Sequence, residues 1–433
     1  MRGGTTPPWV ARHRQGLAWG GFALMLGLAP LLFRSGLAHA VLTQIGVAII
    51  ACLAFNILLG QGGLLSFGHA VYSGLGGFLT LHALNAVAAG RLALPVSLLP
   101  LLGGAAGLVL ALPLGYLSTR RGGTAFAMIT LGLGELVWAL APMLPEFFGG
   151  EGGVAGNRVV GAQPLGVSLG PQRELYYLVA GYALGCSALM HAFTRTPLGR
   201  MLEAAREQPG RVGFVGYDVR QVRWLAFMVS AFFMGVAGGL AALDFERVTA
   251  DALGTLRSGN LLLFTVLGGS AVFFGPIIGA VLMVVASVLL SELAHAWLLY
   301  LGLVFMAMVM YAPGGVAGLL LANLRVAAHG LFRPLLRPYA GMLLAALPAS
   351  AALALLLEMT YLRQADSGRA GRVQILGLAL DTRQLAPWLI GTVVLLAGAA
   401  LFEVARRRFA RAWSAVQHEI AARQAATRRE GAA

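Results

Sequence analysis

The chain has 433 residues, 58% of them hydrophobic and only 11% charged. Soluble domains carry about 25% charged residues, so this composition excludes an ordinary soluble globule and describes a polytopic membrane protein. The net charge is +14, and all 31 basic residues are arginine. Nucleic-acid binding is one reading of such a chain, but the positive-inside bias of membrane proteins accounts for the excess better, and no nucleic-acid partner is expected.

Apolar runs of spanning or near-spanning length fall at about 17–33, 40–60, 64–88, 95–117, 125–145, 175–194, 222–243, 258–275, 276–294, 297–312, 339–359 and 386–404. Twelve spans place both termini on one side. The expected fold is an all-α transmembrane bundle of about ten core spans plus a C-terminal pair. Arg12 and Arg14 precede the first run and Ala38-His39-Ala40 follows it, as in a signal peptide with its cleavage site. The run spans about 17 residues, longer than a usual signal core, which favours a retained helix. Cleavage after Ala40 would leave the remaining topology unchanged.

The second and third runs enclose Gln61-Gly-Gly-Leu-Leu-Ser-Phe-Gly-His69. Glycines at this density beside Gln61, Ser66 and His69 predict a discontinuous helix near residues 60–77. Exposed backbone at membrane depth is tolerated only where protein or a water-filled path satisfies it. Asn56, Gln61, Gly62, Gly63, Ser66 and His69 are therefore candidate residues of a translocation path. Tight packing of small residues, with the polar side chains hydrogen-bonded between helices, is the alternative. Glu135 joins the set as the clearest carboxylate inside a span, unless it reaches the interface from a span end.

Two connections are long. Residues 146–174 carry the glycine-rich Phe148-Gly-Gly-Glu-Gly-Gly-Val-Ala-Gly-Asn157, read as a flexible loop or as a surface lining the outer mouth. Residues 195–221 carry Pro197 where a helix can start and Pro209 where it must stop. Between them Leu198, Met201, Leu202 and Ala205 share one face, with Arg200, Glu203, Arg206 and Glu207 on the polar side and Ala204 between. This predicts a short amphipathic helix, docked on a partner or lying on the membrane. A weak internal echo joins Gly62-Gly63 and Ser66-Phe67-Gly68 to Gly268-Gly269 and Phe274-Gly275-Pro276. Cys52 and Cys186 lie in separate runs and read as small core residues, and no metal-ligand spacing is present. Without lysine there is no Walker A loop, which ends in Gly-Lys-Ser or Gly-Lys-Thr. No enzymatic residues are assigned. A Ser66–His69 enzyme lacks an orienting carboxylate nearby, and an ion-coupled secondary transporter would need more intramembrane acid than Glu135 supplies.

Ala54-Phe-Asn-Ile-Leu-Leu-Gly-Gln-Gly-Gly-Leu-Leu-Ser-Phe-Gly-His-Ala70, Thr124-Ala-Phe-Ala-Met-Ile-Thr-Leu131, the Gly149–Asn157 loop, Pro197–Val219, Val266-Leu-Gly-Gly-Ser270 and Gly275-Pro276 occur in one order. Together these segments resemble the permease subunits of branched-chain amino acid ABC importers, the longer LivM type of the paired permeases, over roughly residues 40–320. The resemblance implies cytoplasmic ATPase partners that bind ATP and Mg, a second related permease, an external substrate-binding protein and an inner-membrane location. No cofactor is expected in this chain itself. It also implies that the helix at 198–208 is a coupling helix seated on the ATPase. The family's Glu-Ala-Ala is present at Glu203-Ala204-Ala205, but the glycine that should follow is displaced to Gly210 behind Pro209. Relatives of this scaffold carry urea, amides or aromatic compounds, so the substrate stays open at this point. The expected division is 1–39 as N-terminal tail and first span, 40–325 as permease core, and 326–433 as an extension with two spans. Its arginine-rich tail, Arg406 to Arg429, is read as a helix on the anionic inner leaflet or as an accessory contact with the ATPase.

Arginine distribution orients this scheme. Arg2, Arg12, Arg14, Arg120, Arg121, the six from Arg195 to Arg223, Arg325, Arg333, Arg337 and the seven from Arg406 to Arg429 fall on one side, leaving ten opposite. The richer side is cytoplasmic by the positive-inside rule. Single-cysteine labelling is expected to find positions 121, 206 and 408 inside and 155 and 370 outside. External labelling at 206 overturns the assignment.

Overall fold

The structure, a computed structural model, describes residues 8–160, 168–293, 296–312, 314–365, 372–375, 378–381 and 384–430. Among the described residues the regular structure is helical apart from two small two-stranded antiparallel sheets. In chain order the helices are α1 (Pro8–Leu32), α2 (Gly36–Asn56), α3 (Ala70–Ala88), α4 (Leu99–Ser118), α5 (Thr124–Leu140), α6 (Pro145–Phe148), α7 (Gln172–Arg195), α8 (Pro197–Glu207), α9 (Pro209–Phe214), α10 (Val219–Phe245), α11 (Thr255–Gly268), α12 (Gly275–Val285), α13 (Ser291–Leu293), α14 (Trp297–Tyr311), α15 (Gly315–Ala328), α16 (Arg333–Ala365) and α17 (Leu385–Glu430). Seven helices are long and apolar enough to cross a membrane, or eight if α14 and α15 form one bent span. The other expected runs form shorter or less apolar helices. The runs at 258–275 and 276–294 become α11 and α12, of 14 and 11 residues, because Gly268 and Gly269 end one helix and Gly275-Pro276 starts the next.

The chain forms two compact units, one of Met1–Val288 with Met308–Gly318, the other of Leu289–Ala307 with Leu319–Ala433. In the first, α10 is central and packs on α2, α3 and α4. Local signals set its start: the Asp218 side chain accepts a hydrogen bond from Arg220 N at 2.9 Å. The helix then buries Ala231, Gly235, Ala237, Gly238, Gly239, Ala241 and Ala242 among larger apolar residues. Small residues allow backbones to approach where lipid supplies no hydrophobic drive between helices. Gly76 of α3, Gly103 of α4 and Gly235 of α10 meet at one point, where a Cβ added to Gly103 would lie 2.7 Å from Gly76 O and 2.9 Å from Gly235 O. On the flank, Tyr176 of α7 donates to Leu26 O of α1 at 2.6 Å.

In the second unit, α16 and α17 pack along each other, and the hairpin of β3 (Arg372–Ile375) and β4 (Leu378–Asp381) lies between them in sequence. Val326, Leu331 and Leu335 form a small core with Val416 and Ile420 of the α17 tail. The tail continues the last span without a break. At 1.5 Å per residue, the 46 residues of α17 reach about 69 Å, well beyond a bilayer about 40–45 Å thick with its headgroups. The arginine-rich segment is thus carried on the same helix as the last span.

The triple glycine contact predicts a sharp contrast. Gly235→Ala drives a methyl into the Gly103 backbone, forces α10 and α4 apart and is expected to cost about 1–3 kcal/mol, as overpacking does. Gly132→Ala, with open space around it, is expected to be neutral. Thermal unfolding of the detergent-solubilised protein reads the difference as a lowered Tm for the first variant alone.

Candidate functional site

α2 runs into a π-helical turn at Ile57–Gln61, and regular helix resumes only at Ala70. The turn spends its own backbone donors first: Gly62 N bonds Ile57 O at 3.2 Å, Gly63 N bonds Leu59 O at 3.1 Å and Leu64 N bonds Leu58 O at 2.9 Å. Gly63 has φ +62°, which a side chain would strain. Beyond it, other helices supply the partners. Phe67 N donates to Thr130 Oγ1 of α5 at 3.2 Å, and Ala70 N donates to Ser258 Oγ of α11 at 2.9 Å. The expected discontinuity is therefore a stretch whose backbone is satisfied from outside its own helix.

His69 is fully buried, ringed by Phe55, Tyr72 and Phe227 at centroid distances of 5.6, 5.4 and 5.8 Å. The Ser230 hydroxyl donates its proton to Ala54 O at 2.6 Å, so at 2.8 Å it accepts from His69 Nε2–H. That fixes the Nε2–H tautomer and ties α2, α3 and α10 together. His69 Nδ1, Ser66 Oγ and Asn56 Oδ1 are buried without partners. Gln61 is partly buried and Glu135 is exposed on α5. The seven candidate path residues thus do not converge. Gln61, Gly62 and Gly63 lie at the turn, Asn56, Ser66 and His69 inside the bundle, and Glu135 on an outer face.

What the turn does meet is α8. Thr196 caps this helix, accepting from Gly199 N at 3.2 Å ahead of Pro197. The expected amphipathic helix forms, but part of its apolar face is occupied by the chain itself. Leu202 is 0% exposed and Ala205 1%, and the Leu202 side chain lies against Gly62. Arg206 Nη1 donates to Gly60 O, and the stem of Arg206 lies over Gly63. Leu202 and Ala205 are therefore spent on the chain's own packing, whereas Leu198 and Met201 on the same face stay half-buried. Arg200, Glu203, Arg206 and Glu207 are exposed, Ala204 is half-buried, and at the end of α9 stand Phe214, its last residue, at 93% exposure, then Val215 and Tyr217. Periodicity missed these three because they follow the helix; the aromatic and β-branched run after Pro209-Gly210 was the available signal.

The outer connection is also more ordered than its glycines suggest. β1 (Val154–Ala155) pairs antiparallel with β2 (Arg247–Val248). Arg158 is the clamp. Its guanidinium donates to Leu243 O and Asp244 O at the C-terminal end of α10, to Leu169 O, Gly170 O and Gln172 Oε1, all within 3.2 Å, while its backbone N donates to Glu246 Oε1 at 2.9 Å. Cations suit helix C-termini, whose last carbonyls lack partners. Gln172 Nε2 in turn donates to Asp244 Oδ1 at 2.6 Å. Beneath this end of α10 lie two adjoining cavities of about 260 and 180 Å³ that share Ser73, Ala241, Phe245 and Arg257.

The two serines near the break should part company under mutation. Ser230→Ala leaves the buried His69 N–H unpaired, while Ala54 O keeps its bond from Ile57 N, and is expected to cost about 1–2 kcal/mol. Ser66→Ala removes a hydroxyl that has no partner and is expected to be neutral or stabilising. Tm values in detergent check both.

A model of the family described as "Branched-chain amino acid transport system / permease component" matches residues 37–314. Over 291 residues the chain is 28% identical to the high-affinity branched-chain amino acid transport system permease protein LivM of Escherichia coli (strain K12), covering 62% of this chain and 67% of that protein. It is 29% identical over 295 residues to the LivM protein of Salmonella typhimurium, covering 63% of this chain and 68% of that protein. No solved structure matches the chain.

Proposed function

Because the chain belongs to the family of permease components of branched-chain amino acid transport systems, we propose that it forms the translocation path of an ATP-driven ABC importer for branched-chain or related amino acids. In this reading it spans a bacterial inner membrane with both termini cytoplasmic. It works beside a second related permease and an external binding protein. ATP and Mg are bound by cytoplasmic ATPase partners, since no Walker A lysine exists in this chain.

The observation that carries the reading is the staple between α8 and the broken helix. Arg206 holds Gly60 O, and Leu202 fills the space against Gly62. A displacement of α8 therefore pulls on the backbone where the α2–α3 connection is least regular. Rigid helices that shift as units are a common way to carry such motion. The ATPases would push on the face of α8 that the chain leaves open, namely Arg200, Glu203 and Glu207, and on the apolar tip of Phe214, Val215 and Tyr217. An exposed phenylalanine beside an exposed valine and tyrosine is the kind of aromatic anchor that dominates a docking surface.

Two substitutions separate docking from folding. Phe214→Asp puts a charge at the exposed tip and is expected to abolish co-purification of the ATPase while membrane insertion and Tm stay unchanged. Leu202→Asp buries a charge inside the permease and is expected to destabilise the chain itself by several kcal/mol. Full retention of ATPase by the Phe214→Asp variant removes the tip from the interface.

A further inference from the structure

Arg257 sits in the first turn of α11. This helix does not start at the end of the bundle. Ser258, its neighbour, bonds Ala70 N at the first turn of α3, and Ala70 follows His69, whose partner Ser230 lies near the middle of α10. α11 therefore begins deep, and Gly254 before it provides no side-chain cap. Its uncapped amides carry the positive end of a helix dipole. Arg257 is half-buried and lines both cavities, and among the described residues its guanidinium makes no hydrogen bond or ion pair; only its backbone N is bonded, to Gly254 O at 3.2 Å. A cation held in a membrane protein without a partner is costly and marks a function by default.

The larger cavity also carries Asp244, beside Gln44 and Ser73. Asp244 Oδ1 is held by Gln172, while Oδ2 has no hydrogen bond among the described residues. Asp244 and Arg257 line one cavity of about 260 Å³ without forming an ion pair with each other. The remaining wall is largely small and apolar, from Val47, Ala48 and Ala51 of α2 to Leu261 and Met283. A fixed cation, a fixed anion and an apolar wall match the three parts of a compact apolar amino acid. The volume lies just below the range of about 300–1,000 Å³ typical of drug-sized ligands.

We propose that this cavity is an amino acid subsite on the path, in which Arg257 and the α11 N-terminus receive the α-carboxylate and Asp244 receives the α-ammonium group. The assignment rests on the importer reading and adds to it the residues that read the substrate. The apolar side chain of the substrate then lies along α2. The clamp of Arg158 and Gln172 is part of the device, because it fixes the carboxylate of Asp244 at the end of α10.

The test uses the purified membrane complex of this chain with its second permease and ATPase, without the external binding protein. Binding of tritiated L-leucine is competed with unlabelled leucine, leucinamide and 4-methylpentanoate. The last two lack the carboxylate and the ammonium group respectively. Wild-type complex is expected to prefer leucine by about tenfold or more over each, as loss of one charge-assisted contact implies. Arg257→Gln is expected to weaken leucine binding about tenfold and to abolish the preference over leucinamide, with partial rescue by Arg257→Lys. Asp244→Asn is expected to abolish the preference over 4-methylpentanoate. Co-purification of the variant chains with the second permease and the ATPase shows that the variant complexes are assembled. Equal binding of leucine and leucinamide by wild type, or wild-type affinity in Arg257→Gln, overturns the subsite. Leucine uptake by wild-type complex with binding protein present, but no leucine binding without it, also overturns the subsite and leaves the importer reading intact. No leucine uptake under any condition overturns both.

Discussion

Backbone polarity at membrane depth is the constraint on which the core unit depends. A helix interrupted inside a bilayer leaves amides and carbonyls that water cannot reach, and each must find a partner in protein. Between Gly62 and Ala70 those partners come from Thr130, Ser258 and the turn itself, while Arg206 takes the Gly60 carbonyl. One interruption in one helix thus recruits α5, α8 and α11. His69 and Ser230 add α10. The position of the amphipathic helix at the bundle's edge follows from the same need, since α8 brings both an arginine and a leucine to the exposed turn.

A second level of order is electrostatic. α10 ends with carbonyls that its own helix cannot satisfy, and Arg158 arrives from a distant loop to take two of them. The same residue binds the loop's own carbonyls, so loop and helix end are ordered together. Charges elsewhere are satisfied more cheaply. On α17, Glu403 pairs with Arg406 and Arg407, and Glu419 with Arg423, one turn apart along an exposed helix. Exposed pairs of that kind contribute little, typically about 0.3–0.5 kcal/mol each. The contrast between these and the many-handed Arg158 separates arginines that solubilise a surface from arginines that build one.

Much of this was legible in the sequence. Apolar runs gave the long helices, Gly62-Gly63 and Gly68 gave the break, and Pro197 and Pro209 bounded α8 within a residue or two. What periodicity could not give was the direction of a face. Leu198, Met201, Leu202 and Ala205 read correctly as an apolar stripe, yet a stripe does not say whether its own chain or another protein covers it. Long-range partners were equally hidden: nothing near Arg158 in sequence announces the end of α10, about 85 residues on. The glycines at 149–153 suggested flexibility, yet Gly153 packs its backbone against Val248 of β2, where a side chain would not fit. Arg257 was counted only as an external arginine, because short helices that begin inside a bundle have no signature in a hydropathy window.

The meeting of Gly76, Gly103 and Gly235 has a kinematic consequence. Side chains can swap rotamers to let helices slide, but backbone against backbone has no such slack, so α3, α4 and α10 are keyed together like parts of one casting. Any change of shape in the core unit must go around that keyed block. The freedom left lies where the chain is irregular: the π turn after Asn56, and the Gly268-Gly269 link before α12, where Gly269 adopts φ +111°. These two links stand on the two elements, α2 and α12, that also wall the larger cavity. The molecule is thus built as a stationary block with two jointed walls, and it is the walls that set the aperture.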